Sequence, residues 1–443
     1  MNRIHISSIL ILCQFLGVNT FANSISESNM IHGDITIHCG QLLNGVDDNV
    51  LQNKIISIND GLIQNIETYN KRITSHTKAL NLSDYTCLPG LIDTHTHITD
   101  RAGDTADLSI YLDMGADEVR KISEDNAYKT LNAGFTTIRN VGAYVAWSGR
   151  DIRDRINRGE VIGPRIQTAG FYLTVPGGGG DLLIPGIPEK NIPNRVRQGV
   201  SRGPEQFMLN AEKAIQGGAD VLKILASGAV LAFGGIPGAP EMTPEEIAVV
   251  VEVGHNAGVK VTAHAHGAQS IKEAILAGVD SIEHASLADE EAIRLAFENQ
   301  VAFSMDVYNG GYINAVGKDQ GWPEEFLRKN IETVDAQRAV FSEALRIGVP
   351  IIYGTDAAVY PHGDNGKQFK IMVQHGMTSM QAIKSATSVA ASYIGWGEKI
   401  GAIRSGFYGD IIAVKENPLD DIRELENVDV VIKGGVLIKG PRN

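Results

Sequence analysis

Two histidines close the segment Leu88-Pro-Gly-Leu-Ile-Asp-Thr-His-Thr-His97. The apolar pair after the Pro-Gly turn predicts a buried strand, and His95 and His97 lie two positions apart at its carboxyl end. Because side chains alternate along a strand, both imidazoles point to the same face and can bind one metal ion. The alternative is a pair of histidines that merely cap a core strand. Ligands at the ends of later strands would favour the metal site.

Such residues do follow, each where another apolar segment ends. They are Lys223 in Val-Leu-Lys-Ile-Leu, His264 in Val-Thr-Ala-His, His284 in Ser-Ile-Glu-His and Asp356 in Tyr-Gly-Thr-Asp. The carboxyl ends of parallel strands meet at one edge of a barrel, so these side chains are expected to converge there. The whole set therefore predicts a metal-dependent active site.

Lys223 is unusual because it lies inside an apolar strand. Burial of an ammonium group is unfavourable unless the charge is paired or lost. A neutral amine can react with carbon dioxide to form a carbamate, an anion that can bridge two cations. The alternative is a buried lysine paired with a nearby acid such as Asp220.

Eight apolar segments alternate with helical segments in the middle of the chain. The predicted strands are 91–98, 136–141, 165–170, 221–226, 259–265, 281–285, 301–307 and 350–357. Helix starts are indicated by the N-cap patterns Thr243-Pro-Glu-Glu246 and Thr378-Ser-Met-Gln381. Eight buried strands with intervening helices over roughly 300 residues are typical of an α/β fold of the (β/α)8 TIM-barrel type. A doubly wound sheet is the alternative, but no GxGxxG pattern follows any strand.

Both ends of the chain are rich in short strands, which predicts a small β-sandwich domain built from both termini. We predict a signal peptide over residues 1–22, the β-sandwich domain over 23–88 and 406–443, and the barrel over 89–405. The apolar run Ile9–Leu16 and the small residues near Ala22 indicate the signal peptide, which is too short to span a membrane. The sequence therefore predicts an exported protein, periplasmic or secreted.

These motifs together resemble the amidohydrolase superfamily, and within it imidazolonepropionase-like and prolidase-like hydrolases. The resemblance covers nearly the whole mature chain. It rests on the His95 motif, the Lys223 strand, Ala263-His-Ala-His-Gly267, Ser281-Ile-Glu-His284, Tyr353-Gly-Thr-Asp356 and Gly401-Ala-Ile-Arg-Ser-Gly-Phe-Tyr-Gly-Asp-Ile-Ile412. It is specific for the superfamily and less so for the substrate.

The resemblance implies two divalent metal ions, Zn²⁺ by preference. One ion would be held by His95, His97 and Asp356, and the other by His264 and His284, with carboxylated Lys223 between them. Metal-bound hydroxide would attack the substrate, and the Asp356 carboxylate would act as the catalytic base and then as the acid. This implies hydrolysis of amide bonds in dipeptides or N-acyl amino acids. Cyclic amides, lactones and phosphotriesters are the alternative substrates.

Three further residues are candidates for substrate binding. His266 shares a strand face with His264, although a structural role fits it equally. Arg139 ends the second predicted strand and could pair with a substrate carboxylate or form a salt bridge in the barrel wall. Tyr308 follows the seventh strand and is expected to line the pocket. His362 is expected to be a surface or helix residue.

The sequence departs from prolidase-like relatives at two places. Some of these relatives have a histidine in the loop after the third strand, whereas here no histidine occurs between His97 and His255. Met242 stands where a tyrosine is found in some of them. The groups that polarise the carbonyl and hold the terminal carboxylate are therefore not identified by the resemblance. A mononuclear deaminase and a non-catalytic scaffold are the alternatives to the hydrolase. Lys223 and the complete ligand set favour the hydrolase.

Charge and cysteine content limit the choice of partners and compartment. The formal charge is −13, and removal of Arg3 with the signal peptide makes it −14 (38 minus 52). An acidic chain without a basic run is unsuited to bind nucleic acid or an anionic membrane, so the expected partner is a small-molecule substrate. The oligomeric state stays open, a homo-oligomer included. Export permits a disulfide between Cys39 and Cys87, but we expect two buried free thiols.

Overall fold

The computed structural model describes residues 32–70 and 79–441. The predicted signal peptide lies outside these residues. Fifteen strands occur in the described part of the chain. In chain order they are β1 (Ile35–Leu43), β2 (Val50–Asn59), β3 (Leu62–Thr68), β4 (Leu80–Pro89), β5 (Leu91–Thr96), β6 (Phe135–Asn140), β7 (Arg165–Thr168), β8 (Val221–Leu225), β9 (Lys260–Gly267), β10 (Ser281–Leu287), β11 (Ala302–Ser304), β12 (Ile351–Ile352), β13 (Ile411–Val414), β14 (Val430–Lys433) and β15 (Val436–Lys439).

Twelve α-helices occur in the same ranges. They are α1 (Ile110–Asp113), α2 (Ala116–Asn132), α3 (Ser148–Asn157), α4 (Gly203–Gln216), α5 (Pro244–Asn256), α6 (Ala268–Ala277), α7 (Glu290–Glu298), α8 (Asn309–Val316), α9 (Glu324–Ile347), α10 (Gln368–Gln374), α11 (Ser379–Ser385) and α12 (Ser388–Tyr393). Both predicted N-caps are confirmed, because Thr243 and Thr378 each form a capping box with the third helical residue. No helix of the described ranges has the length and apolar character needed to cross a membrane.

The central strands β5 to β12 are all parallel, and each of the eight overlaps one of the predicted strands. They form a three-stranded sheet in the order β5-β6-β7 and a five-stranded sheet in the order β12-β11-β10-β9-β8. Isolated parallel bridges join Leu173 to Ile224 and Thr96 to Ala357. The first bridge connects the segment after β7 to β8, and the second connects β5 to the segment after β12. The strands are therefore neighbours in the order of the chain, which brings their carboxyl ends together.

The seven remaining strands form one mixed sheet in the order β15-β14-β13-β4-β1-β2-β3. Strand β13 pairs with β4, so the predicted small β unit is indeed built from both ends of the described chain. Its strands pair in one continuous sheet, whereas the sequence predicted the two sheets of a sandwich. The backbone N–H of Gly61 donates to the carbonyl of Gly33, and the N–H of Gly33 donates to the carbonyl of Gly434, so the β2–β3 turn lies close to the β14–β15 turn. The sheet is therefore curled around a shared apolar core.

Cys39 of β1 and Cys87 of β4 form a disulfide across two parallel, directly paired strands. The expectation of two free thiols is therefore wrong. Both residues lie in the core of the curled sheet. Their sequence separation is 48 residues, so their proximity depends on the pairing of β1 with β4.

The curled sheet and the central strands meet at a buried ion pair. Nε of Arg165, at the start of β7, lies 3.0 Å from Oδ2 of Asp410, just before β13. The other oxygen of Asp410 accepts a hydrogen bond from the backbone N–H of Gly434. The guanidinium also lies over the ring of Tyr408, with 3.8 Å to its centroid. This contact fixes the base of the central strands against the sheet.

Candidate metal centre and active site

Two groups of potential metal ligands lie at the carboxyl ends of the central strands. One contains His95, His284 and Asp356, and the other contains His264, His266 and His284. Within each group the ligand atoms lie within 4.8 Å of one another. The shared residue His284 makes the two groups adjacent. Five residues from four strand ends therefore converge, and they include His266, which the sequence indicated only as a candidate for substrate binding.

The backbone leaves the regular strand conformation at two of these residues. His284 has φ 70° and Asp356 has φ 58°, both in the left-handed region that residues other than glycine rarely adopt. Such conformations persist where surrounding contacts hold them, and they are common at active sites. At His284 the change ends the alternation of β10, so that the side chains of Glu283 and His284 both contact the cluster.

His97 completes the cluster on one side. Its Nε2 lies 3.1 Å from Oδ1 of Asp356, and Nε2 of His95 lies 3.4 Å from the same oxygen. Nδ1 of His97 lies 3.1 Å from the carbonyl oxygen of Gly142. A carbonyl oxygen only accepts, so Nδ1 carries the proton and Nε2 is free to act as a ligand.

Burial keeps most of these imidazoles neutral. It lowers the pKa of His95 to about 4 and the pKa of His266 to about 3. Burial and the neighbouring imidazoles of His284 and His266 lower the pKa of His264 well below its usual value. For His284 burial acts in the same direction, but the carboxylate of Asp306 raises its pKa above the usual value. Neutral imidazole is the form that binds a metal.

Lys223 is 2% exposed and lines the same cavity as the histidines. Its Nζ has no hydrogen-bond partner in the part of the chain that the structure describes. Burial lowers the pKa of the Lys223 amine to about 8, although the Glu283 carboxylate favours its charged form. The alternative partner Asp220 instead accepts a hydrogen bond of 2.6 Å from Arg153. Lys223 is therefore not paired with Asp220, the acid given as an example for the packing alternative.

Two carboxylates that orient the histidines were not identified from the sequence. Oε2 of Glu283 lies 2.8 Å from Nδ1 of His95, and Oδ1 of Asp306 lies 2.9 Å from Nδ1 of His284. A carboxylate on the far nitrogen of a metal-binding histidine is a common arrangement, because it fixes the ring and raises its basicity. The signal was present in the sequence, since Glu283 adjoins His284 and Asp306 closely follows β11.

Asp356 is held from its other side by Asn309, which the sequence also did not indicate. Nδ2 of Asn309 donates hydrogen bonds of 3.0 Å to Oδ2 of Asp356 and 2.9 Å to Oδ2 of Asp306. Burial opposes ionisation of Asp356, but the adjacent imidazoles of His95 and His97 hold its pKa below the usual value. The carboxylate is therefore ionised and has a fixed orientation.

The cluster lies at the bottom of a cavity of about 160 Å³. Apolar side chains such as Leu225, Leu231 and Ile313 form part of its wall. Tyr172, from the segment after β7, also lines the cavity, and its hydroxyl lies 3.1 Å from Nδ1 of His97. A partly apolar cavity beside convergent ligands is typical of a small-molecule site.

The three substrate-binding candidates have different positions. His266 lines the cavity and lies 2.9 Å from the hydroxyl of Ser286 through its Nδ1. Arg139 does not line it: the side chain is 1% exposed, and its Nη2 donates a 2.7 Å hydrogen bond to Glu283. Tyr308 also lies outside the cavity lining, with its ring 5.0 Å from that of Tyr360. For Arg139 the structure therefore has the wall salt bridge that the sequence left open, and Tyr308 is not among the residues that line this cavity.

Known proteins resemble this chain over most of its length. The profile of the amidohydrolase family matches residues 86–438. The chain belongs to the amidohydrolase family. Among curated amidohydrolase relatives is the ochratoxinase of Aspergillus niger, which is 30% identical over 434 residues, covering 91% of this chain and 86% of that protein.

Solved structures of amidohydrolases resemble the whole described fold. A Xaa-Pro dipeptidase with methionine bound in its active site has a TM-score of 0.86 and 36% sequence identity, covering 92% of this chain and 100% of that one. A prolidase complexed with N-methylphosphonate-L-proline has a TM-score of 0.85 and 25% identity, with the same coverage of both chains. The chain is therefore a hydrolase of the amidohydrolase family with an α/β fold, and it contains a cluster of residues that could hold a metal ion.

Proposed function

We propose that this chain is an exported, binuclear metal-dependent hydrolase that cleaves amide bonds of dipeptides or N-acyl amino acids. The observation that carries the proposal is the buried Lys223 amine, which has no partner among the described residues and faces the cavity that the histidines line. In the same proposal the central strands form a (β/α)8 barrel over residues 89–405. The small β domain comprises residues 23–88 and 406–443, and residues 1–22 are a signal peptide.

The residues present fit two divalent metal ions. His95, His97 and Asp356 would hold one ion, His264 and His284 the other, and a carbamate on Lys223 would lie between them. The buried Nε2 of His264 has no hydrogen-bond partner in the described ranges, as expected of a ligand atom. Nitrogen and carboxylate ligands in close groups suit zinc. When bound, the ions would supply an acidified water molecule and a Lewis acid for the carbonyl group.

Asp356 is the group suited to move protons. Its Oδ1 faces His95 and His97, whereas its Oδ2 is held by Asn309. The ionised carboxylate would accept the proton of the attacking water and deliver it to the leaving nitrogen. A general base must lie within hydrogen-bond reach of the proton it removes, and Asn309 holds this carboxylate in one orientation beside the histidines.

The names of the relatives support the choice of an amide bond in a dipeptide. One similar structure is a Xaa-Pro dipeptidase and another is a prolidase. The same site could also serve cyclic amides, lactones or phosphotriesters, which are the second candidate class.

A substrate panel with metal analysis tests the proposal. The metal-loaded protein is assayed with dipeptides, N-acyl amino acids, lactones and phosphotriesters, and its metal content is measured by elemental analysis. We expect hydrolysis of the first two classes and about two metal ions per chain. Turnover of lactones or phosphotriesters alone would favour the second candidate class. One metal ion with ammonia release from an amine substrate would indicate a deaminase, and tight protein binding without turnover would indicate a scaffold.

A further inference from the structure

The carboxamide of Asn309 is fixed by two carboxylates. Its Nδ2 donates to Oδ2 of Asp306 and to Oδ2 of Asp356. Ionised carboxylates only accept hydrogen bonds, so the nitrogen of the carboxamide must face them. Both N–H groups of the carboxamide then donate to these two carboxylates, and the amide oxygen is the atom that points away from them.

The amide oxygen of Asn309 is left without a partner. Oδ1 is buried and has no hydrogen bond to any of the described residues, and the residue is 4% exposed. Asn309 lines the catalytic cavity. A buried acceptor without a donor is unfavourable, and native proteins rarely leave one unsatisfied without a functional reason. Because Asn309 lines the cavity, this unsatisfied acceptor points to a donor on the substrate.

The position of Asn309 indicates which substrate group supplies that donor. Its carboxamide is bonded to the carboxylate of Asp356, the group that in the proposed function delivers a proton to the leaving nitrogen. The leaving nitrogen must therefore come close to this carboxylate. In a secondary amide this nitrogen carries one N–H, which can reach an acceptor beside the carboxylate.

We propose that Oδ1 of Asn309 accepts a hydrogen bond from the N–H of the scissile amide, so that the enzyme selects secondary amides. This inference rests on the proposed function. The favoured substrates are dipeptides and N-acyl amino acids whose leaving residue has an amide N–H. Xaa-Pro bonds and N-methyl amides lack this N–H, and esters have an oxygen in its place. A site built around a hydrogen bond discriminates against analogues that lack the matching group.

The decisive experiment compares an amide with its ester. The two substrates are an N-acyl-phenylalanine and the matching ester of phenyllactic acid, which differ only in N–H against oxygen. Asn309→Leu keeps the approximate volume but removes the acceptor. Loss of the contact to Asp356 lowers the rate for both substrates, whereas loss of Oδ1 affects only the amide. We expect the amide-to-ester ratio of kcat/KM to fall by about tenfold, the size of one neutral hydrogen bond.

Asn330→Leu is the matched control. Asn330 is also buried and lines the cavity, but its Nδ2 donates to the carbonyl of Gly310 and to Oδ1 of Asn314. Its amide-to-ester ratio should equal that of the wild type. An equal ratio in Asn309→Leu and the wild type, or an equal fall in both variants, would overturn the inference.

Inhibitor binding provides a readout without turnover and without any variant. A phosphonamidate with a P–N–H linkage and the corresponding phosphonate ester are titrated into the metal-loaded wild-type protein. We expect the N–H compound to bind about tenfold more tightly. Equal affinities would overturn the inference even if Asn309→Leu does not fold. Failure to hydrolyse any amide would refute the proposed function, whereas amide hydrolysis with unchanged selectivity would refute only the role of Asn309.

Discussion

Nδ1 of His95 lies 2.8 Å from Oε2 of Glu283, and the other oxygen of this carboxylate accepts a 2.7 Å hydrogen bond from Arg139. Glu283 thus joins a fully buried guanidinium to a proposed metal ligand. Burial alone would raise the pKa of Glu283, but Arg139 and His95 hold it well below the usual value. The carboxylate is therefore charged. It balances the charge of Arg139 in the interior of the central strands and contacts His95 in the candidate metal centre.

Replacing Glu283 with Gln should affect both stability and metal binding. It leaves the buried guanidinium of Arg139 without a counter-charge, which should destabilise the fold by about 3–5 kcal/mol. Metal affinity should fall about 10–100-fold, because His95 loses the carboxylate that orients it. Urea unfolding of the metal-free protein and competition with a chelator measure the two effects. In the double variant Arg139→Met/Glu283→Leu, stability should largely return while metal affinity stays low; recovery of both would show that Glu283 does not orient His95.

Lys223→Met should fold but lose metal. The substitution keeps the volume and apolar character of β8, and such swaps usually cost less than about 1.5 kcal/mol. If a carbamate lies between the cations, their mutual repulsion is no longer screened, and the metal content should fall from about two ions per chain to one or fewer, with activity lost. Lys329→Met is the matched control, because Lys329 is also fully buried but donates to the carbonyls of Ala232 and Gly234. That variant should lose stability and keep its metal. Wild-type metal content and turnover in Lys223→Met would contradict the bridging role.

His362 should make stability depend on pH. The sequence suggested a surface or helix residue, but the side chain is buried between Oγ1 of Thr130 and the carbonyl oxygen of His97. Burial lowers the pKa of His362 from 6.5 to about 4. Between these pH values the unfolded chain binds a proton that the folded chain does not. The free energy of unfolding should therefore fall as the pH falls through this window, by up to about 3 kcal/mol from this residue.

The variant His362→Gln isolates this effect, because glutamine can donate to the carbonyl and accept from Thr130 without titrating. Urea midpoints of the metal-free protein are measured at several pH values between 4 and 7.5 for both proteins. The wild type should lose more stability on acidification than the variant. Equal losses of stability in the two proteins on acidification would mean that His362 does not contribute to the pH dependence.

Removal of the disulfide should destabilise the small β unit. Closing a loop with a sequence separation of 48 residues restricts the unfolded chain, and such bonds typically contribute about 2–4 kcal/mol. The double variant Cys39→Ala/Cys87→Ala should show this loss in urea unfolding. The wild-type chain without the proposed signal peptide, denatured without reductant, should contain no thiol that reacts with a thiol reagent. Two reactive thiols in this protein would contradict the disulfide.

The sequence by itself determined the central strands, the capped helices and the convergence of the ligand set. These features depend on local properties: the apolar runs, the N-cap residues, and the position of each histidine or acid where a strand ends. The turn between β2 and β3 also depends on a local pattern, the segment Asn59-Asp-Gly61, in which Asp60 and Gly61 both have positive φ. Local patterns also showed that Lys223 is buried.

Only the tertiary structure decided which groups support the site. Arg139 and Glu283 are 144 residues apart, and Asn309 and Asp356 are 47 residues apart, so no local pattern relates them. The disulfide depends on the parallel pairing of β1 with β4. At His284 the positive φ interrupts the strand alternation from which side-chain directions are inferred. Spacing in a sequence predicts which residues reach the end of a strand, but the direction of each side chain depends on the backbone and the neighbours that packing brings together.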